Sequence, residues 1–224
     1  MMKRIFVLAI LVALLLLGGY GCMNLLPQSD ESVRDEILEH LNKKYNKEFV
    51  AIALERGYSD ILHCYVQGGD PDDDNVHAQR IMQNNTSEYN DTYFGIIIRE
   101  EIEAEIMSLC TNINIPMQVF YLSNSLYYDN MFDSTKNYAD LKQWIANGNP
   151  WRFTITIVLP LDVANNENIY ASQIFEILAA TGFKGLVNIC ILPNEGFVKV
   201  TRTTLNDILR QYDGQTSLFS ESIN

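Results

Sequence analysis

Groups that could carry chemistry are few in this chain. Among 224 residues there are three histidines, His40, His63 and His77, and four cysteines, Cys22, Cys64, Cys110 and Cys190. His63 and Cys64 are adjacent in a segment that reads as a β-strand. Strand neighbours point to opposite faces, so they cannot serve each other as base and nucleophile. Cys64 reads instead as a small core hydrophobe. The run Gly69-Asp70-Pro71-Asp72-Asp73-Asp74-Asn75 puts carboxylates at the first, third and fifth positions of a calcium loop. Its sixth residue is Asn75 rather than Gly and its twelfth is Ile81 rather than Glu, so the sharp turn and the bidentate ligand are both missing. It reads as a solvated acidic turn. Glu100, Glu101, Glu103 and Glu105 are dense enough for a carboxylate pair. Such a pair must face one cleft in unlike environments, whereas these flank the apolar stripe of a helix, where a charge run is a solvated face. No Gly-rich phosphate loop, Cys/His metal spacing or nucleophile elbow occurs. No cofactor and no metal is therefore expected, and no catalytic residue is assigned.

The best binding candidates are Tyr127, Tyr128 and Phe132, in a polar loop of 15 residues over positions 123–137. Loops of that length are often functional, and tyrosine-rich loops suit recognition. The alternative is that the rings fold back onto their own domain, as large aromatic side chains do.

The elements that must position these residues follow from periodicity. Val33, Ile37, Leu41 and Tyr45 recur every four residues and predict a helix over residues 30–46, with Ser32 and Asp35 as a capping-box pattern. Strands are expected over 49–54, 58–67, 77–84 and 92–97, the first two forming a hairpin. A helix follows over 99–111, with Ile98, Ile102, Ile106 and Leu109 on one face. In the second half, 118–122, 151–159, 186–192 and 197–201 read as strands. Helices are expected around Tyr138, Leu141 and Ile145, ending at Gly148, over 169–181, capped by Gly182, and from Thr204 onward. Residues from Ser217 read as a frayed tail. The order over 151–192 is β-α-β, which allows a parallel pair with a crossover helix. The fold class is α+β: a helix plus antiparallel sheet in the N-terminal half and mixed β-α-β elements in the C-terminal half. The expected division is a subdomain over 30–115 and a second over 116–224.

Lys3 and Arg4 precede an unbroken apolar run of 13 residues, Ile5 to Leu17, and then Gly18, Gly19, Tyr20, Gly21 and Cys22. A membrane-spanning helix needs about 20 apolar residues. The shorter run, its basic start and its small residues read as a signal peptide over 1–21. The sequence Leu17-Gly18-Gly19-Tyr20-Gly21-Cys22 resembles the lipobox of bacterial lipoproteins, where a small residue precedes an invariant Cys. Gly21 fits that small position; Gly19 and Tyr20 depart from the residues usual at theirs. The resemblance implies diacylglyceryl transfer to the Cys22 thiol, cleavage after Gly21, and a lipid-anchored protein on the extracytoplasmic face of the cell membrane. An uncleaved signal anchor, or cleavage at another small residue with Cys22 free, is the alternative. Residues 22–29 would then be a tether, the seven residues after Cys22 spanning at most about 25 Å.

From Cys22 on, the chain carries 14 basic and 28 acidic residues. An acidic surface is repelled by anionic membranes and by nucleic acid, whose phosphates require Lys and Arg. Membrane attachment therefore rests on the lipid, and nucleic acid is excluded as a main partner. Cys64, Cys110 and Cys190 each lie in an apolar element and are expected to be buried free thiols. The phrase Leu41 to Phe49, LNKKYNKEF, together with Asp91-Thr92-Tyr93-Phe94-Gly95, resembles a group of exported proteins of Gram-positive bacteria, in which a helix ending in Lys-Tyr leads into a sheet. That resemblance covers roughly residues 30–110 and carries no active site with it. The sequence thus points to a lipid-anchored binding or interaction module with an envelope protein or glycan as partner. An envelope hydrolase using carboxylates is the alternative.

Overall fold

The computed structural model describes residues 28–57, 61–68, 75–83, 86–122, 128, 131–149, 153–161 and 167–223. Cys22 and the export segment, the acidic run 70–74 and Tyr127 lie outside them. The chain opens with helix α1 (Asp30–Tyr45), followed by strands β1 (Phe49–Arg56), β2 (Ile61–Gly68), β3 (Val76–Gln83) and β4 (Thr86–Asp91). These pair in sequence order as an antiparallel sheet. Val33, Ile37, Leu41 and Tyr45 are the buried stripe of α1, as their spacing requires. The cap is Ser29, whose hydroxyl accepts from Ser32 N at 3.2 Å, rather than the Ser32–Asp35 pair. Asn46, at φ 49°, ends the helix in the left-handed region, a conformation asparagine tolerates better than most residues. On β2 and β3, Leu62, Cys64, Val66, Val76 and Ala78 face inward to the core.

Helix α2 (Tyr93–Leu109) starts where the sequence predicts a fourth strand over 92–97. The isoleucine-rich stretch has β propensity, but Tyr93, Phe94, Gly95, Ile96 and Ile98 are all buried. A helix apolar on nearly every side at its start is a core helix, and such packing overrides propensity. Asp91 fixes the start: its carboxylate accepts from Tyr93 N at 2.9 Å.

The second half contains β5 (Gln118–Tyr121), α3 (Tyr138–Ala146), β6 (Phe153–Pro160), α4 (Glu167–Ala180), β7 (Gly185–Leu192), the short α5 (Asn194–Phe197), α6 (Leu205–Gln211) and β8 (Ser217–Ile223). The sheet order is β5-β6-β7-β8. β6 and β7 are parallel, joined through α4, and the outer pairs are antiparallel. Both inner strands are buried almost throughout, because this sheet is covered on two faces. Two sequence expectations change here. Residues 197–201 are no strand: Gly196 N and Phe197 N both donate to Pro193 O, at 2.8 and 2.9 Å, and wind a helical turn instead. Residues 217–223 are no frayed tail: they pair with β7 from Ile191↔Ser217 to Gly185↔Ile223.

One large cluster of buried side chains takes in α1, the inner face of the first sheet, α2, and Ile155, Ile157, Val187 and Ile189 of the second. The expected boundary near 115 therefore runs through a shared core. A smaller cluster, including Phe120, Val158, Cys190, Leu205 and Ile208, packs α6 on the other face of the second sheet. Among the described residues no helix is long and apolar enough to cross a membrane.

Candidate functional site

The motifs Lys44-Tyr45 and Asp91-Thr92-Tyr93, separate in sequence, meet in the structure. Asp91 is 1 % exposed. Its carboxylate accepts from Lys44 Nζ at 2.7 Å, from the Tyr45 hydroxyl at 2.7 Å and from Tyr93 N. Asp91 also exchanges backbone hydrogen bonds with Tyr128, N→O at 3.0 Å and O←N at 2.6 Å. Burial first, then the Asp91 charge, pushes the Tyr45 phenol far above its ordinary range. This centre is enclosed and saturated with partners, so its chemistry is that of a clasp between the two halves.

Tyr128 and Phe132 belong to the same interior. The Tyr128 and Tyr121 hydroxyls share a hydrogen bond at 2.8 Å, and the Tyr128 ring meets Phe94 edge-on at 4.9 Å. Phe132 packs against Phe94 and Trp144, and its carbonyl accepts from Tyr45. Both rings are buried, so neither presents a recognition surface; desolvating their large apolar area outweighs display on the loop. The glutamate run is also tied down in part. Glu103 pairs with Arg202 and accepts from Tyr121 N at 2.7 Å. Glu105 pairs with Lys142 at 3.1 Å.

An open cleft of about 440 Å³ lies between α2, α3 and the turn after α4. That volume falls in the range of small-molecule sites, about 300–1,000 Å³. Ile106, Leu109, Ile145, Phe153 and Phe183 give it an apolar floor, with Phe153 and Phe183 stacked at 5.5 Å. Glu105, Lys142, Thr181 and Lys184 supply polar groups. Local sequence fixes each wall. Asn137 and Asp140 form a reciprocal capping box that starts α3. Gly148 (φ +88°) and Gly182 (φ +76°) end α3 and α4 in the left-handed region and turn the chain at the rim. Lys142 Nζ also lies 4.8 Å from the centre of the Tyr138 ring. Burial, and after it Glu105, raises the Tyr138 phenol above its ordinary value, so it stays protonated.

Glu105 is the single carboxylate on the described lining, and neither histidine nor cysteine reaches it. The Thr181 hydroxyl donates to Leu178 O at 2.8 Å. Sequence reasoning does not find the cleft, since its walls come from residues near 105, 142, 153 and 183. The Gly148 and Gly182 stops are the only local signal.

No family model matches this chain, and no curated protein is significantly similar to it. Among solved structures it is similar to the crystal structure of a DUF5037 family protein from Ruminococcus gnavus ATCC 29149, with 12% identity, a TM-score of 0.44, and coverage of 84% of this chain and 90% of that one.

Proposed function

We propose that this protein is a lipid-anchored binding module on the extracytoplasmic face of the membrane, attached through Cys22, with the α2–α3 cleft as its ligand-holding surface. The observation that carries the reading is the cleft itself: an aromatic and aliphatic floor, two lysines against one glutamate, and no activated nucleophile on the described lining. In a chain of net charge −12 this is a locally basic exception. It suits a small amphipathic molecule, or a side chain of an envelope partner, with an apolar body and an anionic group. The attachment rests on the basic start, the apolar run and the Cys at its end.

A naphthalene sulfonate dye, 8-anilinonaphthalene-1-sulfonate, tests the cleft. It should bind one-to-one. Ala146→Trp, which fills the cleft, should abolish binding, and Lys142→Glu with Lys184→Glu should weaken it about tenfold or more through like-charge repulsion. Unchanged binding in both variants sinks the cleft. Attachment is tested separately: Cys22→Ala should lose radiolabelled palmitate and maturation after Gly21, and retained label would refute it.

A further inference from the structure

The outer face of the first sheet carries a cluster that the cleft does not use. His63 on β2 and His77 on β3 lie diagonally across neighbouring strands, since the register pairs are His63↔Gln79 and Tyr65↔His77. Their neighbours Cys64 and Ala78 are buried on the opposite face. The two rings present nitrogen to nitrogen: His63 Nδ1 and His77 Nε2 are 3.0 Å apart. Each ring has a close neighbour. Tyr65 stacks on His77 at 4.5 Å and 11°. Gly57 leaves room for His63, because a Cβ there would sit 2.7 Å from His63 Nε2. Glu55 stands directly opposite His63 on β1, exposed.

We infer that His63 and His77 chelate a divalent transition-metal ion of the zinc, nickel or copper class through Nδ1 and Nε2 respectively, with Glu55 turning in as a third ligand. Zinc–imidazole bonds are about 2.0–2.1 Å long, so a nitrogen pair 3.0 Å apart subtends roughly 90–95° at the metal. That angle lies between octahedral and tetrahedral values. Each ring must rotate by about 40° to aim its lone pair at that point, a torsion that is broad for histidine. The metal then takes the place of the proton shared between the two nitrogens. Imidazole suits zinc, copper and nickel, whereas calcium and magnesium prefer oxygen. The site is a two-histidine chelate rather than a preformed centre, since among the described residues no three such groups already converge. The remaining positions open to water.

The test uses the full chain, purified in detergent, labelled with ¹⁵N and titrated with zinc chloride. Three histidines give three sets of ring signals. Zinc should move His63 Nδ1 and His77 Nε2 to metal-bound shifts and leave His40, which stacks on Tyr89, unmoved. His63→Gln or His77→Gln should weaken binding by at least about tenfold, and Glu55→Gln by less. Absence of those ring-nitrogen shifts at millimolar zinc overturns the proposal. So does undiminished one-to-one binding by the double glutamine variant. Should a variant fail to fold, the wild-type shifts alone decide.

Discussion

Replacing Asp91 by Asn tests the buried ion pair that ties α1 to the end of β4 and the start of α2. The native carboxylate is buried with three donors on it: Lys44 Nζ at 2.7 Å, Tyr45 Oη at 2.7 Å and Tyr93 N at 2.9 Å. The Lys44 side chain is only 4 % exposed. The substituted amide keeps the shape but removes the negative charge that faces the buried Lys44 ammonium. Breaking a buried pair from one side costs about 3–5 kcal/mol, a large share of a total stability of about 5–15 kcal/mol. Lys44→Met leaves the carboxylate two donors and should cost less, about 1.5–3 kcal/mol, the range of a hydrogen bond to a charged group. The double variant should fall well short of the sum, with a coupling of about 1–3 kcal/mol. Urea unfolding reads this directly. With a slope of about 2–3 kcal/mol/M, Asp91→Asn should lower the midpoint by about 1–2 M at unchanged slope. Trp144 fluorescence and far-ultraviolet dichroism should give one transition, since both halves share a core. Losses below about 1 kcal/mol for both single variants, as at exposed pairs, would refute the argument.

Two further outcomes are expected. Gly185→Ala should destabilise by about 3 kcal/mol or more, read as a lowered melting temperature, because its Cβ would lie 2.2 Å from the Phe153 carbonyl oxygen and 2.8 Å from the Phe153 nitrogen, backbone that cannot yield. Burial pushes the thiols of Cys64, Cys110 and Cys190 up to about 11, so native Cys22→Ala protein from residue 22 on should resist alkylation at pH 8 and yield these three thiols after denaturation without reductant; a single equivalent would mean a disulfide. These raised values give stability that is fully present below the unfolded thiol range near 8.5 and lost as pH rises toward about 11, and Cys64→Ala should flatten that alkaline slope.

Legibility in the sequence follows how local each cause is. The four-residue stripe of α1 states its buried face outright, and Gly182 states where α4 stops. The start of α2 is hidden because Ile96, Ile97 and Ile98 favour strands in isolation, while the fold surrounds this stretch with core. Asp91 directly ahead of it is the available cue, as an acidic side chain that can take the first helical N–H. β8 escapes a local reading because most of its residues are exposed; its order comes from β7, a partner some thirty residues away. The cleft leaves no local trace beyond its glycine stops, since an apolar floor assembled from four elements is indistinguishable, residue by residue, from ordinary core. Tyr128 and Phe132 are visible as aromatics in a polar loop, but their burial depends on Phe94 and Tyr121, which only the fold brings near.

That β8 follows β7 only after α5 and α6 sets an order on the assembly of the second sheet. β7 is a central strand whose Val187, Ile189 and Ile191 are fully buried, yet one of its two hydrogen-bonding edges is satisfied only by residues 217–223. During synthesis from the N-terminus, everything up to α6 is available while that edge still lies bare. A bare strand edge is a template for another chain. The nascent protein is therefore prone to self-association in the interval before β8 emerges, and a truncation just ahead of Ser217 would make that interval permanent.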